Sequence, residues 1–275
     1  MKSGSILKGI KKQMKFIDFH THIYPEKIAG KATEYLRQFC NTNDEWPGTA
    51  DVLLEKGRKA GVGKYVILPV AVRAVQVRKI NDFSISQGLL HEEFICFGTV
   101  HAGQENIISE LEYIKSSGLR GIKIHPDQQD FPIDDPRLFP AYDFLSQEKM
   151  PVLFHCGDPR SDFSHPLRLK KILHEFPELK ITAAHFGGWR MFDEAVSILK
   201  NENCYYDMSS SMAYVPPEKI VEYINAYGAD RIFFGSDFPL WEPSVEIEKF
   251  LALDISDEEK EKIVYVNAES FLGLK

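Results

Sequence analysis

The segment FIDFHTH, residues 16–22, joins a short apolar run to two histidines that stand two positions apart. Similar apolar, β-branched or aromatic runs recur along the chain, and most of them also end in polar side chains. Together with the first, they are KFIDFH (15–20), KYVILPV (64–70), FICFGTV (94–100), LRGIKIH (119–125), PVLFH (151–155), KITAAH (180–185), CYYDMSS (204–210) and RIFFGSD (231–237). Runs of this length and composition predict eight buried β-strands.

Longer segments with apolar residues at helical spacing separate these runs. The clearest lie at 105–118, 138–149, 166–176 and 217–228, and several are closed by glycine, as helix ends commonly are. Eight alternations of strand and helix predict an α/β protein with one (β/α)8 TIM barrel over residues 15–275. The alternative is an open doubly wound sheet, which would require a glycine-rich phosphate turn after an early strand. The first strand ends instead in HTHIYP.

Composition restricts the partners and the compartment. A formal net charge of −7 and a pI near 5.8 indicate no basic surface, so we expect no nucleic-acid partner. No run approaches 18 uninterrupted apolar residues, and residues 1–14 lack an apolar signal core, which predicts a cytoplasmic protein without a membrane anchor. The four cysteines show no CxxC spacing and suit a reducing compartment. Residues 1–14 are expected to form a flexible N-terminal extension because they have no periodic apolar face.

The polar ends of the predicted strands would meet at one place. In a parallel barrel the carboxyl ends of the strands form a single mouth, where active sites lie. His20 and His22 share a face of the first strand because side chains alternate with period two. The later strands deliver to the same mouth Lys123, His125, His155, His185 and Asp237.

A divalent cation explains this concentration of imidazoles better than separate structural roles. Taken singly, each histidine could be a hydrogen-bonded core residue, and GSDFP could be an ordinary turn. Crowded imidazoles would repel if protonated, whereas a metal ion holds neutral imidazoles and an ionised aspartate together. No such convergence supports the remaining histidines, which we interpret as surface or structural residues: His91, His101, His165 and His174. Cys156 should point away from His155 and serve in packing.

The ordered set of HTH, the histidine of FHCG, HFGG and GSDFP resembles the amidohydrolase superfamily. Within it, the match is to the amidohydrolase-related group that includes the aminocarboxymuconate semialdehyde decarboxylase-like enzymes. The resemblance runs from about residue 16 to residue 273. It implies a (β/α)8 barrel of the metal-dependent hydrolase type, with one or two divalent metals, usually zinc, and it implies a homodimer.

The resemblance also implies roles for individual residues. By the family pattern the metal would be bound by His20, His22, His155 and Asp237, while His185 would lie beside the reacting water. Asp237 would double as a proton acceptor. Two-metal relatives supply a glutamate or a carbamylated lysine from the fourth strand, and Lys123 stands at that position. We expect one metal, with two as the alternative, in which Lys123 and His185 would also be ligands.

The expected activity is hydrolysis of an amide, lactone or related ester bond in a small molecule. A carboxylated substrate would be bound by four residues on or near the mouth: Lys123, His125, Arg73 and Arg160. One alternative is metal-dependent decarboxylation without oxidation. Another is a metal-holding protein without catalytic activity. The segment 23–49, which includes Cys40 and NTNDEWPG, is expected to cover the mouth and limit substrate size.

Overall fold

The computed structural model describes residues 15–40 and 46–274. The predicted N-terminal extension, residues 1–14, lies outside the described residues. Within them the strands are β1 (Phe16–Thr21), β2 (Val62–Ile67), β3 (Phe94–Cys96), β4 (Gly98–Thr99), β5 (Ile122–Ile124), β6 (Val152–Phe154), β7 (Ile181–Ala183), β8 (Tyr205–Asp207) and β9 (Ile232–Phe233). Every one of the eight predicted runs contributes a strand, and all the strand pairs are parallel.

Helices lie between the strands, as predicted from the apolar spacing. They are α1 (Glu26–Cys40), α2 (Ala50–Ala60), α3 (Val77–Leu90), α4 (Ile107–Ser116), α5 (Pro126–Gln129), α6 (Phe139–Gln147), α7 (Pro166–Glu175), α8 (Phe192–Leu199), α9 (Pro217–Tyr227), α10 (Pro243–Leu251), α11 (Asp257–Glu261) and α12 (Asn267–Leu272). A π-helical turn, Lys262–Val266, joins the last two. No helix in the described ranges has both the length and the apolar character needed to cross a membrane.

One predicted strand was wrong in its continuity. The run 94–100 is divided at Phe97 into β3, which pairs with β2, and β4, which pairs with β5. Hydrogen bonds from Phe97 N to the Ile67 carbonyl (3.0 Å) and from Gly98 N to the Gly121 carbonyl (2.8 Å) carry the chain across this division. The two short strands therefore occupy one position in the barrel.

The first strand meets the last, so the sheet closes on itself. Phe19 N donates to the Phe234 carbonyl (2.9 Å), and Thr21 forms a parallel bridge with Phe238. Closure confirms the (β/α)8 barrel and excludes the open doubly wound sheet, because an open sheet would leave β1 and β9 as unpaired edges. It also places the ends of β1 and β9 side by side.

The core has two parts that follow the alternation of side chains along the strands. The larger part lies between strands and surrounding helices and contains Val152 and Phe154 of β6. Leu153, which alternates with them, belongs to a second cluster with Phe19, Phe233 and residues of α12. Within α12, Phe271 contacts the rings of Tyr205 and Phe233 at centroid distances of 4.7 and 5.1 Å.

Basic side chains fasten α12 at the amino-terminal end of the barrel. Lys180, just before β7, donates to the Phe271 carbonyl (2.7 Å), and Arg120, just before β5, donates to the Leu272 carbonyl (2.6 Å). Carbonyl groups of a last helical turn have no partner within the helix, so these bonds satisfy them. The α12 helix thus covers the end of the barrel opposite the mouth.

We predict that Phe271→Ala lowers the free energy of unfolding by about 3–5 kcal/mol, since it removes a buried aromatic ring and leaves a cavity. Urea denaturation of the metal-free protein measures this. Leu89→Ala is the control, because Leu89 is 84% exposed and its loss should change stability by less than about 0.5 kcal/mol. Equal effects of the two substitutions would contradict the assigned role of α12.

Candidate active site

His20, on β1, and His22, just after it, each contact a hydrogen-bond acceptor through Nδ1. His20 Nδ1 lies 2.9 Å from Asp207 Oδ2, and His22 Nδ1 lies 2.6 Å from the Leu68 carbonyl oxygen. Carboxylate and carbonyl oxygens only accept hydrogen bonds, so both Nδ1 atoms carry the proton. Burial lowers the pKa of His20 to about 4, which keeps its ring neutral at neutral pH. Both Nε2 atoms therefore present lone pairs to the mouth.

These lone pairs converge with a carboxylate oxygen. His20 Nε2 and His22 Nε2 are 3.2 Å apart, and Asp237 Oδ1 lies 3.5 and 3.3 Å from them. The Lys123 ammonium, 3.5 Å from His20 Nε2, is a nearby donor to this atom, and a cation placed among the three electron-rich atoms would be attracted by all of them. Their separations match the edge, about 3.3 Å, of a tetrahedron whose corners are 2.0–2.1 Å from a central ion. His20, His22 and Asp237 thus fit a divalent metal.

Asp237 is placed by the backbone and oriented by a serine. Its N–H donates to the His20 carbonyl (2.8 Å), which fixes it against β1. Asp237 Oδ2 accepts from the Ser210 hydroxyl (2.5 Å), and that hydroxyl accepts from Trp241 Nε1 (2.8 Å). Burial opposes ionisation of this carboxyl, but positive charge at His20 and His22 holds its pKa well below the usual range, and a cation among the three groups would favour the carboxylate in the same way. Asp237 Oδ1 remains directed at the histidines.

A glycine permits this close approach. At Gly235, in the GSDFP turn, a Cβ atom would lie 2.7 Å from the His20 Cβ and 3.1 Å from the Ser209 Cβ. Heavy atoms that are not bonded do not approach so closely, so any side chain here would push β1 away from the end of β9. The glycine of the motif is needed for the packing of the site.

His155 does not join the group formed by His20, His22 and Asp237. It pairs with His185, whose Nε2 lies 3.1 Å from His155 Nδ1. The outer nitrogens of this pair face carbonyl oxygens, His155 Nε2 that of Gly157 (3.1 Å) and His185 Nδ1 that of Ser209 (2.9 Å). Each outer nitrogen is therefore a donor, so two lone pairs also oppose each other between these rings. A second cation, or a shared proton, would relieve that contact.

Lys123 and His125 line the interior beside these histidines. Lys123 is fully buried on β5, and its Nζ lies 3.5 Å from His20 Nε2. Among the described residues no carboxylate lies within ion-pair distance of Nζ, and burial lowers the pKa of Lys123 to about 8. His125, just beyond β5, stacks on His155 with ring centroids 3.8 Å apart. Both residues are thus available to a ligand at the mouth.

The two arginines predicted near the mouth differ in their surroundings. Arg73 lies in the turn before α3 with an exposed side chain, and its backbone N–H bonds to Gln76. Arg160 binds Asp158 through two hydrogen bonds of 2.8 and 2.6 Å, with its guanidinium 5.3 Å from the centre of the Trp189 ring. The charge of Arg160 is already paired with that of Asp158, and the structure does not bring Arg73 into contact with the histidines.

Four residues of the site were missed by sequence reasoning: Asp207, Ser209, Ser210 and Trp241. The first three lie at or just after the end of β8, in the run CYYDMSS, whose apolar pattern predicts only a strand. A carboxylate inside an otherwise apolar strand is costly to bury without partners. This energetic cost is the feature of the sequence from which a role for Asp207 could have been predicted.

The remaining histidines and Cys156 occupy peripheral or packing positions. His91 ends α3, His165 caps α7, and His174 is exposed and pairs with Glu202 at 2.8 Å. His101 is partly buried and accepts a hydrogen bond from the Gly103 N–H. Cys156 is fully buried, and burial raises the pKa of its thiol well above the usual range, which suits packing.

The segment 23–49 contains a helix, α1, that was not predicted within it. The carbonyl at the end of α1, on Cys40, accepts from the Tyr214 hydroxyl (3.5 Å), and Trp46 Nε1 donates to the Pro239 carbonyl (3.1 Å). Pro239 follows Asp237 by two positions, so the described part of the segment lies over the mouth. NTNDE, residues 41–45, lies outside the described residues.

A closed β/α barrel with histidines and an aspartate converging at its mouth defines a class of metal-binding barrel enzymes. A family model described as Amidohydrolase matches residues 17–274, and the chain belongs to the amidohydrolase family. The family uses a divalent metal, and the described residues contain three histidine and carboxylate groups able to hold one. His20, His22 and Asp237 form one of these groups.

Solved structures of low sequence identity share the fold. An uncharacterised TIM-barrel protein from Bordetella bronchiseptica is 20% identical, with a TM-score of 0.82 over 94% of this chain and 99% of that chain. A dihydroxybenzoic acid decarboxylase from Polaromonas sp., with bound manganese and 2-nitroresorcinol, is 18% identical, with a TM-score of 0.75 over 95% and 98%. A probable 2-pyrone-4,6-dicarboxylic acid hydrolase from Acinetobacter baumannii, with bound citric acid, is 16% identical, with a TM-score of 0.68 over 95% and 100%.

We predict that the double substitution of His20 and His22 by alanine abolishes tight metal binding, because it removes both convergent lone pairs. Elemental analysis of protein purified with and without added zinc measures the bound metal. The matched control replaces His91 and His174 by alanine, which should leave the metal content unchanged. Full retention of metal by the first double variant would contradict the site.

We predict that Lys123→Met stabilises the metal-free protein at pH 7. The fall in the pKa of Lys123 from 10.5 to about 8 means that the folded state disfavours its charged form, a cost of up to about 3 kcal/mol. This cost is complete below pH 8 and disappears as the pH rises to 10.5, where the unfolded lysine also loses its proton. Urea denaturation at both pH values should show a gain at pH 7 that shrinks at pH 10.5, and no gain at pH 7 would refute it.

Proposed function

We propose that this protein is a metal-dependent hydrolase that cleaves an amide, lactone or related ester bond in a small, carboxylated molecule. The convergence of His20 Nε2, His22 Nε2 and Asp237 Oδ1 within 3.2–3.5 Å carries the proposal, because these separations suit three ligands of one divalent cation. We further propose that zinc is the ion and that it acts as a Lewis acid, acidifying water and polarising a carbonyl.

Asp237 is the proposed proton carrier. Its Oδ2 is occupied by the Ser210 hydroxyl, and its Oδ1 faces the centre of the site. An ionised carboxylate in this position accepts a proton from the attacking water and delivers it to the leaving group. The serine keeps the second oxygen in place, so the transfer takes place at Oδ1.

His185 and Lys123 are proposed to act on the substrate. The Ser209 carbonyl holds the Nδ1 proton of His185, so His185 Nε2 carries a lone pair that would orient the water once its contact with His155 Nδ1, at 3.1 Å, is relieved. Lys123, without a carboxylate within ion-pair distance among the described residues, is the cation proposed to bind a substrate carboxylate. His125 stacks on His155 beside it and offers a further polar contact.

Aromatic side chains near the mouth suit a planar substrate. The rings of Trp189 and Tyr214 lie 5.8 Å apart, and those of Tyr214 and Trp241 lie 6.4 Å apart. Trp189 is also 6.2 Å from His155, which connects this aromatic group to the histidines. A flat, unsaturated ring with carboxylate groups would stack there and reach Lys123.

The same aromatic group supports a second candidate, decarboxylation of an aromatic acid. One protein of similar fold is a dihydroxybenzoic acid decarboxylase and another is a probable 2-pyrone-4,6-dicarboxylic acid hydrolase, and the rings that these names describe are planar. In decarboxylation the ring carbon keeps the electron pair of the broken C–C bond and takes up a proton as CO2 leaves, and Asp237 or His185, once protonated, would supply that proton. Hydrolysis remains our first proposal, with Asp237 as the base for water.

We propose one tightly held metal. His155 and His185 form the second place where lone pairs oppose each other, and with a carbamylated Lys123 they would complete a two-metal site. In the one-metal state Lys123 keeps its ammonium for the substrate. Metal content with and without bicarbonate tests this: two equivalents that fall to one in Lys123→Ala and recover in Lys123→Glu would overturn the one-metal proposal. We also propose a homodimer, which light scattering tests.

Product analysis separates the candidate functions. The zinc-loaded protein would be incubated with planar carboxylated lactones, amides and aromatic carboxylic acids, and both ring opening and bicarbonate release would be recorded. Lactone or amide cleavage without bicarbonate supports hydrolysis, and bicarbonate release supports the second candidate. Metal binding without turnover of any substrate class would favour a metal-holding protein without catalytic activity.

We predict that Asp237→Asn lowers kcat by about 10² or more, since an amide cannot accept the proton of water. Turnover of the best substrate measures this, and metal content is determined in the same samples to separate loss of catalysis from loss of the ion. Asp135→Asn is the matched control, as Asp135 is buried at the start of a short helical turn and contacts Arg137. Turnover close to wild type in Asp237→Asn would remove Asp237 from the mechanism.

A further inference from the structure

The end of β8 lies directly behind the candidate metal site. Asp207 is fully buried, and its Oδ2 lies 2.9 Å from His20 Nδ1. Its other oxygen, Oδ1, accepts from the backbone N–H of His185 (3.2 Å), from the N–H of Ser209 (3.1 Å) and from the Ser209 hydroxyl (2.5 Å). One carboxylate thus receives hydrogen bonds on both oxygens, which fits only its ionised, acceptor-only form.

The serine transmits this arrangement to a second histidine. Because the Ser209 hydroxyl gives its single proton to Asp207, its oxygen is left as an acceptor. That oxygen lies 2.9 Å from His185 Nδ1 and 3.0 Å from His20 Nδ1. The Ser209 carbonyl oxygen, 2.9 Å from His185 Nδ1, also accepts a hydrogen bond and so also requires a proton on this nitrogen. Every partner of these two Nδ1 atoms therefore accepts a proton.

We propose that Asp207 is a positioning residue that fixes the protonation pattern of the site. It holds the proton of His20 on Nδ1 directly and that of His185 through Ser209, so before any ion arrives the Nε2 lone pair of His20 faces His22 and Asp237, and that of His185 faces His155. A carboxylate behind a metal-binding histidine also raises the basicity of the ligand atom. The inference rests on the proposed metal-dependent function and adds residues that hold the ligands rather than contact the substrate.

The isosteric substitution Asp207→Asn tests this role because the neighbouring donors determine the orientation of the new amide group. Three donors surround the position of Oδ1, so the amide oxygen takes that position and the NH2 group takes the position of Oδ2. The NH2 group then faces His20 Nδ1, which must become an acceptor. The proton of His20 moves to Nε2 and blocks the lone pair that would bind zinc.

The measurement combines zinc affinity with the position of the proton. Competition with a chromophoric chelator gives the zinc dissociation constant of the full chain, which we expect to rise 10–100-fold in Asp207→Asn. Nitrogen NMR of histidine-labelled, metal-free protein shows which ring nitrogen of His20 is protonated, with the signal assigned from its absence in His20→Ala. We expect Nδ1 in the wild type and Nε2 in the variant. Asp135→Asn should match the wild type in both measurements.

Two results would overturn the proposal: a wild-type His20 protonated on Nε2, or a zinc dissociation constant in Asp207→Asn within twofold of the wild type. The wild-type spectrum, assigned with His20→Ala, does not depend on Asp207→Asn, so it tests the proposal even where Asp207→Asn fails to fold. Its outcome is also independent of the proposed function. A wild-type protein that binds no zinc but protonates His20 on Nδ1 would refute the metal-dependent function and uphold the role of Asp207.

Discussion

The hydrogen bond from Asp237 N to the His20 carbonyl is the contact on which both the barrel and its site depend. Together with the bonds from Phe19 N to the Phe234 carbonyl and from His22 N to the Phe238 carbonyl, it joins the first strand to the last and closes the row of parallel strands into a cylinder. The same contact sets two side chains, from distant parts of the sequence, against each other at the mouth. Closure and assembly of the site are one event, because neither residue reaches its place without the other.

The site histidines are held by hydrogen bonds, and their arrangement favours a bound cation. Carbonyl and carboxylate groups behind the imidazoles determine where each proton lies, and they leave unshared electron pairs facing one another. This arrangement lowers the stability of the metal-free protein. An ion that binds only the folded state would raise the free energy of unfolding. The buried ammonium of Lys123 acts in the opposite direction, since it competes with an ion for the same electron pairs.

Much of this was readable in the sequence, and the reasons for the rest are physical. The periodicity of strands and helices predicts the barrel. The histidines at the strand ends predict the position of the site, because the carboxyl ends of parallel strands lie at one face. The grouping of side chains within the mouth could not be predicted, because strand positions do not determine that His155 Nδ1 contacts His185 Nε2. Asp207 was missed because strand patterns report burial, whereas its role depends on partners far away in sequence. The break at Phe97 depends on which neighbour each half pairs with.

The joining of β1 to the end of β9 also orders the events of biosynthesis. The two histidines leave the ribosome early, and Asp237 follows only after nearly all the other strands have been made. A nascent chain therefore exposes a two-histidine fragment for most of its synthesis, and that fragment has no third ligand. Under the proposed ligand set of His20, His22 and Asp237, high-affinity capture of an ion would wait for completion of the cylinder, and the protein would be loaded with metal only after its synthesis.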